Sequence, residues 1–247
     1  ATTTPDQIMP STGALIQAQL GAVNAAGMDV FAACSGFIYG ITMVESMIRT
    51  GQIKYAVVIG AEVLTKYVDY TDRGTCVILG DGAGAAVLGP VPEGKGILAT
   101  KIKSDGRYEE QLYCPAGGTK LGTTHATIDD RMHYFKMKGN ELFKVAVRPM
   151  ADISAEMLEK AGYSVDDVDI VIPHQANQRI TDAVASRLGV AEGKVYSNIA
   201  EHGNTSSASI PIAMDECIES GKIKEGSLVL LTAFGGGVTW GGTVLRF

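Results

Sequence analysis

Apolar positions along the chain follow two rhythms, and these predict alternating strands and helices. Short apolar runs bounded by turn residues read as strands at Val30 to Ala33, Tyr55 to Ile59, Ala85 to Leu88, Val168 to Ile172, Val195 to Ile199, Leu228 to Thr232 and Thr243 to Arg246. Between them, helical spacing covers Ser11 to Leu20, Ser35 to Thr50, Gly139 to Lys160 and Ala176 to Leu188. In the second of these, Phe37, Ile38, Tyr39, Ile41, Met43, Val44, Met47 and Ile48 are apolar nearly all round, and Gly51 stops the helix. A helix with that pattern is expected to be buried. The alternation predicts an α/β fold with layered sheets.

An internal repeat refines the picture. Met43-Val-Glu-Ser-Met-Ile-Arg-Thr-Gly-Gln-Ile-Lys54 echoes Met214-Asp-Glu-Cys-Ile-Glu-Ser-Gly-Lys-Ile-Lys224 with one gap, and an apolar strand follows each. Gly84-Ala-Ala-Val-Leu88 likewise matches Gly241-Gly-Thr-Val-Leu245. Residues 1–90 and 139–247 are therefore expected to be two halves of a duplicated fold, the later one beginning with the helix at Gly139 and the strand at Val168. The first half has no counterpart of these two elements, so a segment preceding Ala1 is expected. Residues 91–138, rich in Gly and Thr and poor in periodicity, read as an excursion joining the halves, and a segment this long is more often a binding loop or dimer cover than a passive link.

At 247 residues and 46% hydrophobic, the chain can bury a large core. Its formal net charge of −6 argues against bulk binding to nucleic acid or anionic membranes, which recruit basic surfaces. No apolar run reaches the roughly 18 residues of a membrane span, and the opening Ala1-Thr-Thr-Thr-Pro5 lacks the features of a signal peptide. A cytoplasmic location is the expectation. The four cysteines, Cys34, Cys76, Cys114 and Cys217, form no Cys-x-x-Cys pair and no zinc-like spacing with the four histidines, so free thiols and no metal site are expected.

Cys34, in Phe31-Ala-Ala-Cys-Ser-Gly36, falls where the first predicted strand meets the buried helix. The free N–H groups of a helix start favour thiolate over thiol, and small neighbours leave room for a substrate. A buried cysteine acting as a small hydrophobe is the plainer alternative. His174 follows a strand at the carboxyl edge where open α/β sheets bind ligands, although many histidines only satisfy local polar groups. Asn204 can be a turn or cap residue, or the repeat-related partner of Cys34 at the second helix entry. Gly235-Gly-Gly237 allows close backbone approach to a reacting carbonyl, or simply makes a turn. Gly80-Asp-Gly-Ala-Gly84 is rejected as a dinucleotide site, because a strand follows it where a pyrophosphate would need a helix.

Ala32-Ala-Cys-Ser-Gly36, Ile172-Pro-His-Gln-Ala-Asn177, His202-Gly-Asn-Thr-Ser206 and Ala233-Phe-Gly-Gly-Gly-Val-Thr-Trp-Gly241, in that order, resemble the β-ketoacyl-acyl carrier protein synthase III family of the thiolase superfamily. The resemblance implies a thiolase-like duplicated α/β fold of αβαβα layers with an incomplete first half. It also implies a Cys34-His174-Asn204 triad; the related elongating synthases carry His at the Asn204 position and thiolases a second Cys. The family's reaction takes an acyl group from acyl-coenzyme A onto Cys34 and condenses it with malonyl-acyl carrier protein, releasing carbon dioxide and using no cofactor beyond the coenzyme A thioester substrate. By the same resemblance, the N–H groups of Cys34 and Gly236 form the oxyanion hole. Arg73, Gly74, Phe143, Asn177 and Arg179 line the coenzyme A tunnel, and Lys144 and Arg179 offer acyl carrier protein a basic patch, unless Lys144 is only a solvated helix face. Met9 matches a position that projects into the acyl pocket of the other subunit of a homodimer. Two other readings stay open on the residues alone: a cysteine-dependent thioester hydrolase, since such triads recur on unrelated folds, and a non-catalytic unit kept for dimerisation.

Overall fold

The computed structural model describes residues 1–247. Its elements in chain order are α1 (Thr12–Gln19), α2 (Gly36–Arg49), β1 (Ala56–Val63), β2 (Asp81–Leu88), β3 (Gly96–Ser104), β4 (Leu112–Tyr113), α3 (His125–Asp129), β5 (Lys136–Met137), α4 (Gly139–Ala161), β6 (Ile170–Pro173), α5 (Gln178–Leu188), α6 (Ile199–His202), α7 (Ser209–Glu219), β7 (Leu228–Gly235) and β8 (Thr239–Arg246). The main sheet has the order β3-β8-β7-β6, with β6 parallel to β7 and the other pairs antiparallel. β1 and β2 form a separate antiparallel pair.

All eight residues of β7 are buried, so both faces of this strand are covered. The strand's alternation sorts its side chains between two cores. Leu228 and Leu230 pack with Met157 and Leu158 of α4, whereas Val229, Leu231 and Ala233 pack with Phe37, Ile38 and Ile41 of α2 and with Ile210, Ala213 and Cys217 of α7. Val58 of β1 joins this second core from the far side. The layers therefore run from α4 and α5, through the main sheet, to α2 and α7, and then to the β1–β2 pair. No helix is long and apolar enough to cross a membrane.

The duplication is visible in the backbone. A 3-10 turn at Ala33–Ser35 leads into α2, and an equivalent turn at Ser206–Ala208 leads into α7. Each turn begins on a non-glycine residue with positive φ, Ala33 at 47° and Ser206 at 51°, and the two turns lie against each other. Strain of this kind persists only where the surroundings hold it, and it concentrates at functional sites. After each helix comes a strand pair, β1–β2 or β7–β8, with the same antiparallel arrangement.

Four expectations need correction. Val30 to Ala33 is extended and then turning, not a strand, because no ladder partner lies beside it; its one strand-like contact is the N–H of Thr2 donating to the Val30 carbonyl. Val195 to Ile199 makes only an isolated bridge from Val195 to Val171. Residues 91–138 contain β3, which pairs with β8 along nearly its whole length, so part of that segment belongs to the main sheet. The glycine-rich start of β2 is strand from Asp81 onward, since its glycines let the entry to α7 approach: a Cβ on Gly84 would sit 2.9 Å from the Ile212 N and the Pro211 Cβ.

Candidate active site

A cleft of about 840 Å3 is lined by Cys34, His174, Asn204 and Gly236, which come from four separate stretches of sequence. Most of its lining is hydrophobic. Cys34 is buried in the 3-10 turn before α2. The glycine hairpin between β7 and β8 is fastened to this turn: the Thr239 hydroxyl donates to the Ala32 carbonyl at 2.8 Å, and the Ser35 hydroxyl to the Thr239 carbonyl at 3.0 Å. Gly235 is required at its position, because a Cβ there would lie 2.7 Å from the Cys34 N and 3.0 Å from the Ser35 N. This close approach brings the backbone N–H of Gly236, alongside that of Cys34 itself, to the cysteine sulfur.

Burial pushes the Cys34 thiol up to about 11; the nearby Glu62 carboxylate adds to the shift, and hydrogen bonds from the Ser206 side chain and the two backbone N–H groups oppose it. In the resting site this burial opposes the preference of the helix start for thiolate. Removal of the sulfur from water outweighs the N–H groups, and Cys34 rests as a thiol.

His174 follows β6, with its N–H donating to the Thr232 carbonyl at 2.7 Å. Its ring is buried, which pushes its pKa down to about 3, so the imidazole is neutral. Gln175 pins the same loop: its Nε2 donates to the Pro173 carbonyl at 2.8 Å and its Oε1 accepts from the Asn198 N–H at 3.1 Å. Asn204 is held by a parallel bridge to Leu79, its N–H donating to the Ile78 carbonyl and its carbonyl accepting from the Gly80 N–H. Its Oδ1 accepts the Ser206 N–H at 2.9 Å, so the side-chain oxygen is occupied and the Nδ2 hydrogens remain to be donated.

The other predicted positions divide. Gly74, Phe143, Asn177 and Arg179 line the cleft, the Arg179 guanidinium lying 5.4 Å from the Phe143 ring centroid. Asn177 also caps α5, accepting the Ile180 N–H at 3.0 Å. Arg73, Lys144 and Met9 are not among the lining residues. Lys144 is paired with Glu141 at 3.1 Å on the helix surface, and Met9 is 83% exposed.

Sequence reasoning missed Glu62, which is only 2% exposed. Its carboxylate accepts from the Thr3 N–H at 3.0 Å, from the Thr3, Thr4 and Ser207 hydroxyls at 2.9 Å each, and from Thr2. An acid at an inward position of the apolar run Val57 to Val63 was the available signal. Ser206 and Ser209 were also missed, because a serine-rich helix entry reads as ordinary capping.

The family models described as 3-oxoacyl-[acyl-carrier-protein] synthase III and its C-terminal part match residues 28–106 and 158–247. Beta-ketoacyl-[acyl-carrier-protein] synthase III of Clostridioides difficile is 49% identical over 247 residues, covering 100% of this chain and 75% of that protein. The crystal structure of 3-oxoacyl-[acyl-carrier-protein] synthase III from Aquifex aeolicus VF5 matches with a TM-score of 0.91 at 48% identity, and that from Pseudomonas aeruginosa PAO1 with 0.92 at 38%; each covers 100% of this chain and 75% of the other. With this likeness running the whole length of a thiolase-like fold, the chain belongs to the β-ketoacyl-acyl carrier protein synthase III family, the condensing enzymes that initiate fatty acid synthesis.

Proposed function

We propose that Cys34 is the acylated nucleophile and that His174 and Asn204 serve the condensation that follows. In the first half-reaction the sulfur of Cys34 bonds to the carbonyl carbon of acyl-coenzyme A, the carbon–sulfur bond to coenzyme A breaks, and the thiol proton ends on the released coenzyme A. The backbone N–H groups of Cys34 and Gly236 stabilise the intermediate oxyanion. In the second, the malonyl carboxylate leaves as carbon dioxide and its bonding electrons form an enolate, whose oxygen takes hydrogen bonds from His174 and Asn204. The enolate carbon then attacks the acyl thioester, and the Cys34 sulfur departs with its electron pair and regains a proton from solvent. The observation that carries this reading is the single cleft lined by Cys34, Gly236, His174 and Asn204, with the Asn204 oxygen already engaged.

On the same reading, Gly74, Phe143, Asn177 and Arg179 bind acyl-coenzyme A with Arg73 outside the cleft, and Arg179 and Lys144 meet acyl carrier protein. The enzyme works as a cytoplasmic homodimer with Met9 reaching the partner's pocket. After treatment with acyl-coenzyme A, mass spectrometry is expected to place the adduct on Cys34. His174→Ala and Asn204→Ala are expected to reduce malonyl decarboxylation roughly 100-fold or more, as for loss of an oxyanion donor, and acylation far less. An adduct on Cys76, Cys114 or Cys217 would overturn the assignment, and simple hydrolysis of the acyl-enzyme in the presence of malonyl donor would favour a hydrolase.

A further inference from the structure

Ser209, the first residue of α7, is 2% exposed, and its Oγ lies 2.7 Å from Nδ1 of His174. The same Oγ accepts the Gln175 N–H at 3.4 Å, and no carbonyl accepts from it. A serine hydroxyl has one hydrogen, and a neutral imidazole has one donor and one acceptor nitrogen. If Nδ1 carried the ring hydrogen, Ser209 would accept twice and its own hydrogen would be buried without a partner, a loss that interiors avoid. The arrangement that satisfies every atom has Ser209 donating to Nδ1, with the ring hydrogen on Nε2.

We propose that Ser209 is a positioning residue that locks His174 in the Nε2–H tautomer, so that the imidazole presents a donor to a substrate carbonyl. This rests on the reading that His174 supports decarboxylation, and it deepens that reading. With hydrogen on Nε2 and Nδ1 engaged, the imidazole has no free lone pair with which to accept the Cys34 proton. Its work then falls in the second half-reaction, where negative charge develops on the enolate oxygen. Ser209 stands in the second half of the duplication, three residues beyond Ser206 and its positive φ, so the pseudo-symmetric helix entries supply both the nucleophile's turn and the histidine's anchor.

The test uses 15N-histidine-labelled protein, together with each half-reaction measured separately in wild type, Ser209→Ala and Ser209→Thr. Wild type is expected to show a hydrogen-bearing Nε2 and a bare Nδ1 for His174. Ser209→Ala is expected to mix the tautomers and to lower malonyl decarboxylation roughly ten- to hundredfold, by analogy with the loss of the group that orients a metal-bound histidine, while acyl transfer falls much less. Ser209→Thr, which keeps the hydroxyl, is expected to recover most of the lost rate, and unfolding midpoints identify any variant that is merely destabilised. A wild-type ring protonated on Nδ1, or an unchanged tautomer in Ser209→Ala, overturns the proposal. A tautomer shift without loss of decarboxylation upholds the role of Ser209 and overturns that of His174.

Discussion

Cys34 lies between opposed influences, and their balance decides the form in which the enzyme waits. Two backbone N–H groups and the Ser206 side chain favour a negative sulfur; burial and the Glu62 carboxylate disfavour it, and they prevail, to a pKa of about 11. Glu62 is itself caged by hydroxyls from Thr3, Thr4 and Ser207, so its replacement by Gln keeps the shape of the cage and removes a charge. A neighbouring negative charge raises a thiol's pKa, so Glu62→Gln is expected to lower that of Cys34. Below its pKa the thiolate fraction rises tenfold with each unit the pKa falls, and iodoacetamide is therefore expected to label Cys34 roughly two- to tenfold faster in Glu62→Gln at mildly alkaline pH. A rate unchanged or slower than wild type would show that the cage screens Glu62 from the sulfur. The sequence marks Cys34 through its small neighbours and helix start. It cannot mark the dominance of burial, which depends on β7, β8 and the turn before α7 closing over the cysteine's own turn.

The elements were legible where local pattern determines them and obscure where distant partners do. α2, α4, α5 and the cores of β1, β6, β7 and β8 follow from periodicity and glycine stops, and the repeat marks the paired helix entries. Val30 to Ala33 has strand composition but no ladder partner, whereas Gly96–Ser104 has weak periodicity and becomes a strand because β8 pairs with it. Glycine marks close packing rather than turning in β1. A Cβ on Gly60 would collide with the Ser207 carbonyl oxygen and lie 3.1 Å from the Ala208 Cα, and these atoms belong to backbone that cannot rotate away. Gly60→Ala is therefore expected to destabilise the fold by about 1–3 kcal/mol, the usual range for overpacking, and to displace the turn that leads into α7. Urea denaturation measures the first effect through a lower midpoint with unchanged slope, and the decarboxylation rate measures the second. Full stability in the variant would mean that β1 and α7 can separate without penalty.

At the scale of the whole molecule, the buried layers converge on the cleft, while the residues between the N-terminus and α2 present several apolar side chains outward. Ile8 is 94% exposed, Met9 83% and Phe31 76%, and α1 buries none of its residues. Apolar exposure concentrated in this way suits a protein partner better than water. Phe31 also lines the cleft, so this surface runs from the outside of the chain to the neighbourhood of Cys34. A second copy docked here would bring its own Met9 toward the acyl site, as the family resemblance implies. Methionine is unbranched and adapts to several acyl shapes, whereas phenylalanine would fix one wall of the pocket. Met9→Phe is therefore expected to change the ratio of kcat/KM between branched and acetyl primers by roughly tenfold, the discrimination that a change of this size in an apolar pocket provides. Sedimentation of the same variant separates the two parts of the argument. A dimer with unchanged primer ratios would leave Met9 as interface packing alone, and a monomeric wild type would remove the partner on which the pocket depends.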